Sequence, residues 1–214
     1  MLRIGRALLL LVMAIPAGGY PVPASLSPTW ELNIKFQDIR RIKISLPGEP
    51  TRTYWYMIYT VTNTSERDVM FNPELTLVTD DLDVYRAQFD VPPEMFDAIK
   101  EQYKNTYPWL EHPRDMIGKV RPGKDNARDS VAIWPDFSPR TSQFDVYVSG
   151  LSGEVAAVPN PLYVAGGADP NKGPKEFVLR KTLQIKYTLP GDAASRERVM
   201  PIRSGQPAMD WVMR

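Results

Sequence analysis

No cysteine occurs in the 214 residues, and histidine occurs once. The first absence removes disulfides, thiol nucleophiles and thiolate metal sites together. One histidine and no cysteine cannot make a zinc motif either. A Ser-His-Asp arrangement needs only one imidazole, so His112 keeps that chemistry open, but it stands in Glu111-His112-Pro113-Arg114, a turn where a solvated ring is expected. No apolar run is long enough to span a bilayer as a helix. An excess of either charge is also missing, with 26 basic against 25 acidic residues. Composition therefore makes no electrostatic case for nucleic acid or for an anionic membrane.

Proline is abundant, at 21 residues. Proline breaks helices and marks turns and sheet edges, so short elements joined by ordered loops are expected. An apolar content of 43% and a charged content of 24% are those of a globular chain.

The first residues have an export pattern. Arg3 and Arg6 precede the apolar stretch Ala7 to Ile15, and Pro16-Ala17-Gly18-Gly19 follows. A basic start, a short apolar core and small residues describe a secretory signal peptide, assigned to residues 1–24. Cleavage after Gly19 or Ala24 fits equally, so the mature chain is expected to begin between residues 18 and 25 and to reach the periplasm or the exterior. Removing Arg3 and Arg6 leaves 24 basic residues against 25 acidic ones, a formal charge of −1. With no cysteine there is no lipid anchor at the cleavage site. Residues 25–214 read as one domain held by its core alone.

The stretch Thr53-Tyr-Trp-Tyr-Met-Ile-Tyr-Thr-Val-Thr-Asn63 has aromatic and β-branched residues on both faces, the pattern of a central strand covered on both sides. Before it, Trp30, Leu32, Ile34 and Phe36 alternate cleanly. The pattern falters at Asp38-Ile39-Arg40 and resumes with Ile42, Ile44 and Leu46, as in a bulged strand or two strands sharing a corner. Asn63-Thr64-Ser65 is a sequon that reads as an Asx turn. Val69 and Phe71, then Leu75 and Leu77, keep one phase across Asn72-Pro73, and Leu82 to Phe89 supplies a hairpin partner. Strands are also expected over Met116 to Val120, Ser130 to Trp134, and Phe144 to Val148. Residues 150–174 read as a loop with a short edge strand at Pro161 to Ala165. In the last long strand, Phe177, Leu179, Leu183, Ile185, Tyr187 and Leu189 share a phase interrupted only by Lys181. A short segment, Val199 to Ile202, and a tail complete the chain. One helix is expected over 93–105, with Phe96, Ile99 and Tyr103 on one face. Seven to nine short strands, one inserted helix and no internal repeat make an all-β antiparallel sandwich rather than a βαβ fold.

The order of these signals between Tyr54 and Val148 resembles secreted bacterial immunoglobulin-like domains of the telokin-like kind. The matching pieces are the aromatic strand ending Val61-Thr-Asn-Thr-Ser65, the strand Leu75-Thr-Leu-Val-Thr-Asp80, the turn Pro122-Gly123 and the strand Val131-Ala-Ile-Trp134. The resemblance covers under half the chain. It implies an immunoglobulin-like fold and export, brings no catalytic residue, and leaves the helix and the C-terminal part as departures from the family's pattern.

Motifs for chemistry are few. Gly150-Leu-Ser-Gly153 fails as a nucleophile elbow because Glu154 takes the last glycine position. Gly166 to Gly173 lacks the ending of a P-loop. Asp80, Asp81 and Asp83 share a turn that could hold calcium, without the bidentate glutamate of an EF-hand. Arg40-Arg41 and Arg196 to Arg198 read as basic groups on solvated faces, and the nine methionines as core fillers. The aromatic group Tyr103, Tyr107 and Trp109 remains as the candidate partner-binding surface, since such residues anchor interfaces, although docking the helix would use them equally. The expected function is that of an exported, non-enzymatic interaction or envelope-structural module, with no cofactor or bound metal, no nucleic acid, and a protein or envelope polymer as partner. The alternative is a secreted carboxylate-based hydrolase acting on carbohydrate, which would place two carboxyl groups about 5 to 9 Å apart in a cleft.

Overall fold

The computed structural model describes residues 19–24, 29–45, 48–163 and 173–214. In chain order these form β1 (Leu32–Phe36), β2 (Arg40–Ile44), β3 (Arg52–Asn63), β4 (Val69–Phe71), β5 (Glu74–Thr79) and β6 (Val84–Arg86). Helix α1 (Pro93–Tyr103) follows, then β7 (Gly118–Val120), β8 (Arg128–Pro135), β9 (Gln143–Ser149), β10 (Val155–Pro159), β11 (Glu176–Thr188), β12 (Ile202–Arg203) and β13 (Met209–Met213). The result is an all-β sandwich of antiparallel sheets with a single α-helix among the described residues.

β3 is the middle of the first sheet. β8 pairs along one of its edges, from Tyr54↔Pro135 to Val61↔Arg128. β1 and β2 share the other edge, at Leu32↔Asn63 and Arg40↔Tyr56 respectively. The second sheet runs β6, β5, β9, β11, with β13 and β12 on the far side of β11. Residues of β3 alternate between two cores, as a strand's period of two demands. Trp55, Met57, Tyr59 and Val61 enter the main core between the sheets, with Trp134, Phe144, Val146 and Ile185. Tyr54, Tyr56 and Ile58 face the other way into a second core under α1, with Val131, Ile133, Met95, Phe96 and Ile99. The chain therefore has three layers: sheet, sheet, helix.

Among the described residues thirteen strands stand where seven to nine are expected, because irregularities split two long ones and because segments read as loop and tail form strands of their own. Between β1 and β2 the backbone steps over Gln37–Ile39, and Ile39 drops into the main core. That step exchanges faces. Leu32 of β1 lies in the main core, whereas Ile44 and Ile42 of β2 pack under the helix. The hydrophobic phase does not continue on one face, as the matching parity had implied. A proline causes the second split: Pro73 has no N–H for a ladder. β4 instead pairs with β7, and β5 starts the second sheet beside β9. Gly150, at φ 84°, lets the chain pass this crossing, since a Cβ there would overlap the Asn72 carbonyl.

The region after Gly150 is more ordered than its composition suggests. Val155–Pro159 forms β10 against Glu176–Arg180, and Pro161–Tyr163 is a turn rather than the expected edge strand, whose last two residues lie outside the described ones. The C-terminal tail is β13, paired with Lys181–Ile185. Asn63 is buried and makes the expected Asx turn, accepting from Ser65 N at 3.0 Å and donating to the carbonyls of Arg67 and Val120, both at 2.8 Å. Residues 1–18 of the expected signal lie outside the described residues. No helix among the described residues is long and apolar enough to cross a membrane.

Candidate functional site

The candidate aromatic residues stand at the corner where α1 leaves the sandwich. Pro92-Pro93 starts the helix. Met95, Phe96, Ile99 and Tyr103 are buried on one face, which stabilises a helix too short to persist alone. His112 fastens the corner from below: its Nδ1 accepts from Arg114 N at 3.3 Å, so its Nε2 donates to the Val91 carbonyl at 3.3 Å. Its ring meets Phe96 edge-on at 5.1 Å. The imidazole is a half-buried staple and not the free solvated group its turn implies.

Each of the three aromatic residues has a different environment. Tyr103 is buried, its hydroxyl 3.1 Å from that of Tyr56 and its ring 6.2 Å from Tyr56's. Tyr107 is half-buried beside it, ring to ring at 6.2 Å, and its hydroxyl accepts from Gln37 Nε2 at 3.2 Å. Trp109 turns away from both and is 82% exposed. The turn that holds it is anchored at both ends. Tyr107 N donates to Tyr103 O at 2.7 Å, Leu110 is buried, and Glu111 N donates to the Asp129 carbonyl at 2.8 Å. Arg128 forks onto the Glu111 carboxylate and also caps the Asp115 carbonyl at 2.6 Å. The Glu111 hydrogen bonds keep the Arg128 guanidinium charged beyond its usual range, against the opposing effect of burial. An indole is thus presented to solvent on a turn whose backbone is hydrogen-bonded on both sides.

Of the three aspartates near the β5–β6 turn, Asp80 accepts from Ser142 N, Ser142 Oγ and Gln143 N at 2.9, 2.7 and 3.1 Å. Burial pushes its carboxyl up, but those bonds outweigh it and hold the group below the usual carboxylate range. It ties β5 to the start of β9. Among the described residues no group of three or more histidine, cysteine, aspartate or glutamate side chains could hold a metal ion. Other carboxylates also serve as structural acceptors: Asp129 for Thr60 Oγ1 at 2.5 Å, Asp136 for Trp55 Nε1 at 2.7 Å, and Asp145 for Gln184 Nε2 at 2.7 Å.

Sequence reasoning missed a groove of about 330 Å³ on the outer face of the second sheet. Arg86, Arg180 and Arg214 converge there with Glu74 and Tyr147. Arg214 lies over the Tyr147 ring at 3.9 Å, and Arg86 pairs loosely with Glu74 at 3.6 Å. The signal was latent in the strand parity: residues 74 and 147 alternate with buried neighbours, 180 stands between the half-buried Leu179 and the buried Lys181, and all three share the outward face. The chain matches no protein-family model, no curated protein and no solved structure.

Proposed function

We propose that this chain is an exported, non-enzymatic interaction module, an immunoglobulin-like sandwich whose helix-side corner receives a protein or envelope-polymer partner at Trp109. The observation behind this reading is the indole itself, 82% exposed on a turn fixed at both ends. Tryptophan is among the residue types that most often dominate binding energy, and a rigid scaffold lowers the ordering cost of using it. Loops on such scaffolds are where recognition concentrates. Export rests on the basic and apolar pattern of residues 1–19, and the immunoglobulin-like label on the order of strand and turn signals from Tyr54 to Val148.

The test is capture from the native envelope fraction, with Trp109→Ala against the unchanged chain. Because the side chain is exposed, the substitution should leave unfolding free energy within about 0.5 kcal/mol of wild type. Partner capture should weaken by about thirtyfold or more, as for a hot-spot residue. Undiminished capture by the well-folded variant would remove the corner from the function.

A further inference from the structure

The same step at Gln37–Ile39 that exchanges the faces of β2 sends Arg41 toward the space between the sheets. Its guanidinium lies 5.0 Å over the Trp55 ring, at the sandwich's open end. Asp136 fixes this end from just past β8, accepting from Trp55 Nε1 at 2.7 Å and from Phe137 N at 3.1 Å. Phe137 stacks on Trp55 with ring centroids 5.0 Å apart. From the opposite sheet, the chain leaves β11 and folds into a tight turn. Ser195 N donates to Asp192 Oδ1 at 2.9 Å, and Asp192 N donates to Ser195 Oγ at 3.2 Å. The turn delivers Arg196 to the same end. Read from sequence as a solvated basic group, Arg196 is instead only 7% exposed. Its Nε donates to the Pro139 carbonyl at 3.0 Å, while its Nη1 is buried without any hydrogen-bond partner.

A buried donor left unpaired costs about 1–3 kcal/mol, and more when it belongs to a charged group. Guanidinium groups cannot escape that cost by losing a proton. Here the orphaned atom belongs to a side chain that lines a pocket of about 340 Å³, together with Arg41, Trp55, Asp136, Phe137 and Ala193. Two cations face one carboxylate, and that carboxylate is already engaged by two N–H donors. We infer that the pocket is a site for the oxyanion of a small ligand, a carboxylate or a phosphate, with the buried Arg196 guanidinium and Arg41 as its two cations. The planar guanidinium fork matches either group, and the volume sits at the small end for ligand sites. The site uses elements other than the Trp109 corner and stands independently of the function proposed for it.

Calorimetric titration and thermal unfolding of the full chain test this, using inorganic phosphate and acetate as probes and chloride at matched ionic strength as control. Wild type should bind at least one probe and gain thermal stability with its concentration. Phosphate alone identifies a phosphate ligand, and acetate alone a carboxylate one. Arg196→Met should abolish binding. Its unliganded stability should change little, because the unpaired donor and the Nε bond to the Pro139 carbonyl are lost together. Arg41→Gln should weaken binding about tenfold, the loss of one charge-assisted contact, and it keeps the test decisive if Arg196→Met does not fold. No binding of either probe to wild type, or equal binding to Arg196→Met or Arg41→Gln, would overturn the inference.

Discussion

Lys181 offers the sharpest test of how the two sheets are closed at their C-terminal edge. It falls on the inward phase of β11, between Leu179 and Leu183, and is 3% exposed. Its ammonium lies 2.8 Å from Glu31 Oε2 and 3.6 Å from Glu154 Oε2, donates to the Ala24 carbonyl at 3.3 Å, and sits 4.9 Å from the Trp211 ring centre. Consider Lys181→Met, which keeps the stem and removes the charge. Glu31 is more than a third exposed and can turn to water. Glu154 is nearly buried: its Oε1 accepts from Ala24 N at 2.7 Å, and its Oε2 has no hydrogen-bond partner. The variant thus leaves a buried, unneutralised carboxylate, a defect worth about 3–5 kcal/mol. Adding Glu154→Gln removes the stranded charge while keeping an acceptor for Ala24 N. The double variant should therefore recover to within about 2 kcal/mol of wild type. Urea unfolding at neutral pH, with the denaturant slope unchanged across variants, measures both differences. If the single variant lies within about 0.5 kcal/mol of wild type, or the double is no more stable than the single, the stranded-charge account is wrong.

Two further outcomes follow from the core and from the β5–β9 junction. Ile58, fully buried between β3 and α1, should cost about 2–5 kcal/mol when cut to alanine, and an unchanged thermal midpoint would show the helix layer to be dispensable. Asp80 titrates below its unfolded value, so its contribution is complete above the unfolded pKa and is lost as pH falls through the lowered folded one. Asp80→Asn should therefore be less stable than wild type near neutrality, with the two curves converging below about pH 5; a constant gap down to acid pH would refute the role of its charge.

The central strand was legible because large residues occupy both parities from Tyr54 to Val61, and only a strand packed on both sides can bury them all. The helix was legible for the same kind of reason, with Phe96, Ile99 and Tyr103 at helical spacing and all three buried. What escaped were the places where one residue changes the register of everything after it. Ile42 and Ile44 have the parity of Leu32, and nothing local announces that the step at Gln37–Ile39 has turned the strand over. At Asn72-Pro73 a kink in one continuing strand was visible, but not that the strand ends and the chain changes sheet there. That depends on β7 and β9, partners far along the chain.

Charged residues show the same division. Lys181 read as a break in a hydrophobic phase, yet the phase was real and the lysine obeys it. What makes that possible is two glutamates and a tryptophan brought from β1's approach, the loop before β10, and β13. Arg196 read as solvated because Arg196, Arg198 and the turn before them are polar, while its burial depends on the Pro139 carbonyl. Trp109 is the converse case. Past the end of α1 no periodicity assigns it a face, and its exposure is decided by the Glu111–Asp129 backbone bond and the burial of Leu110. Periodicity assigns faces within an element. Whether a charge or a ring on a given face is buried depends on partners supplied by tertiary structure, so this chain's candidate sites lie where local pattern ends.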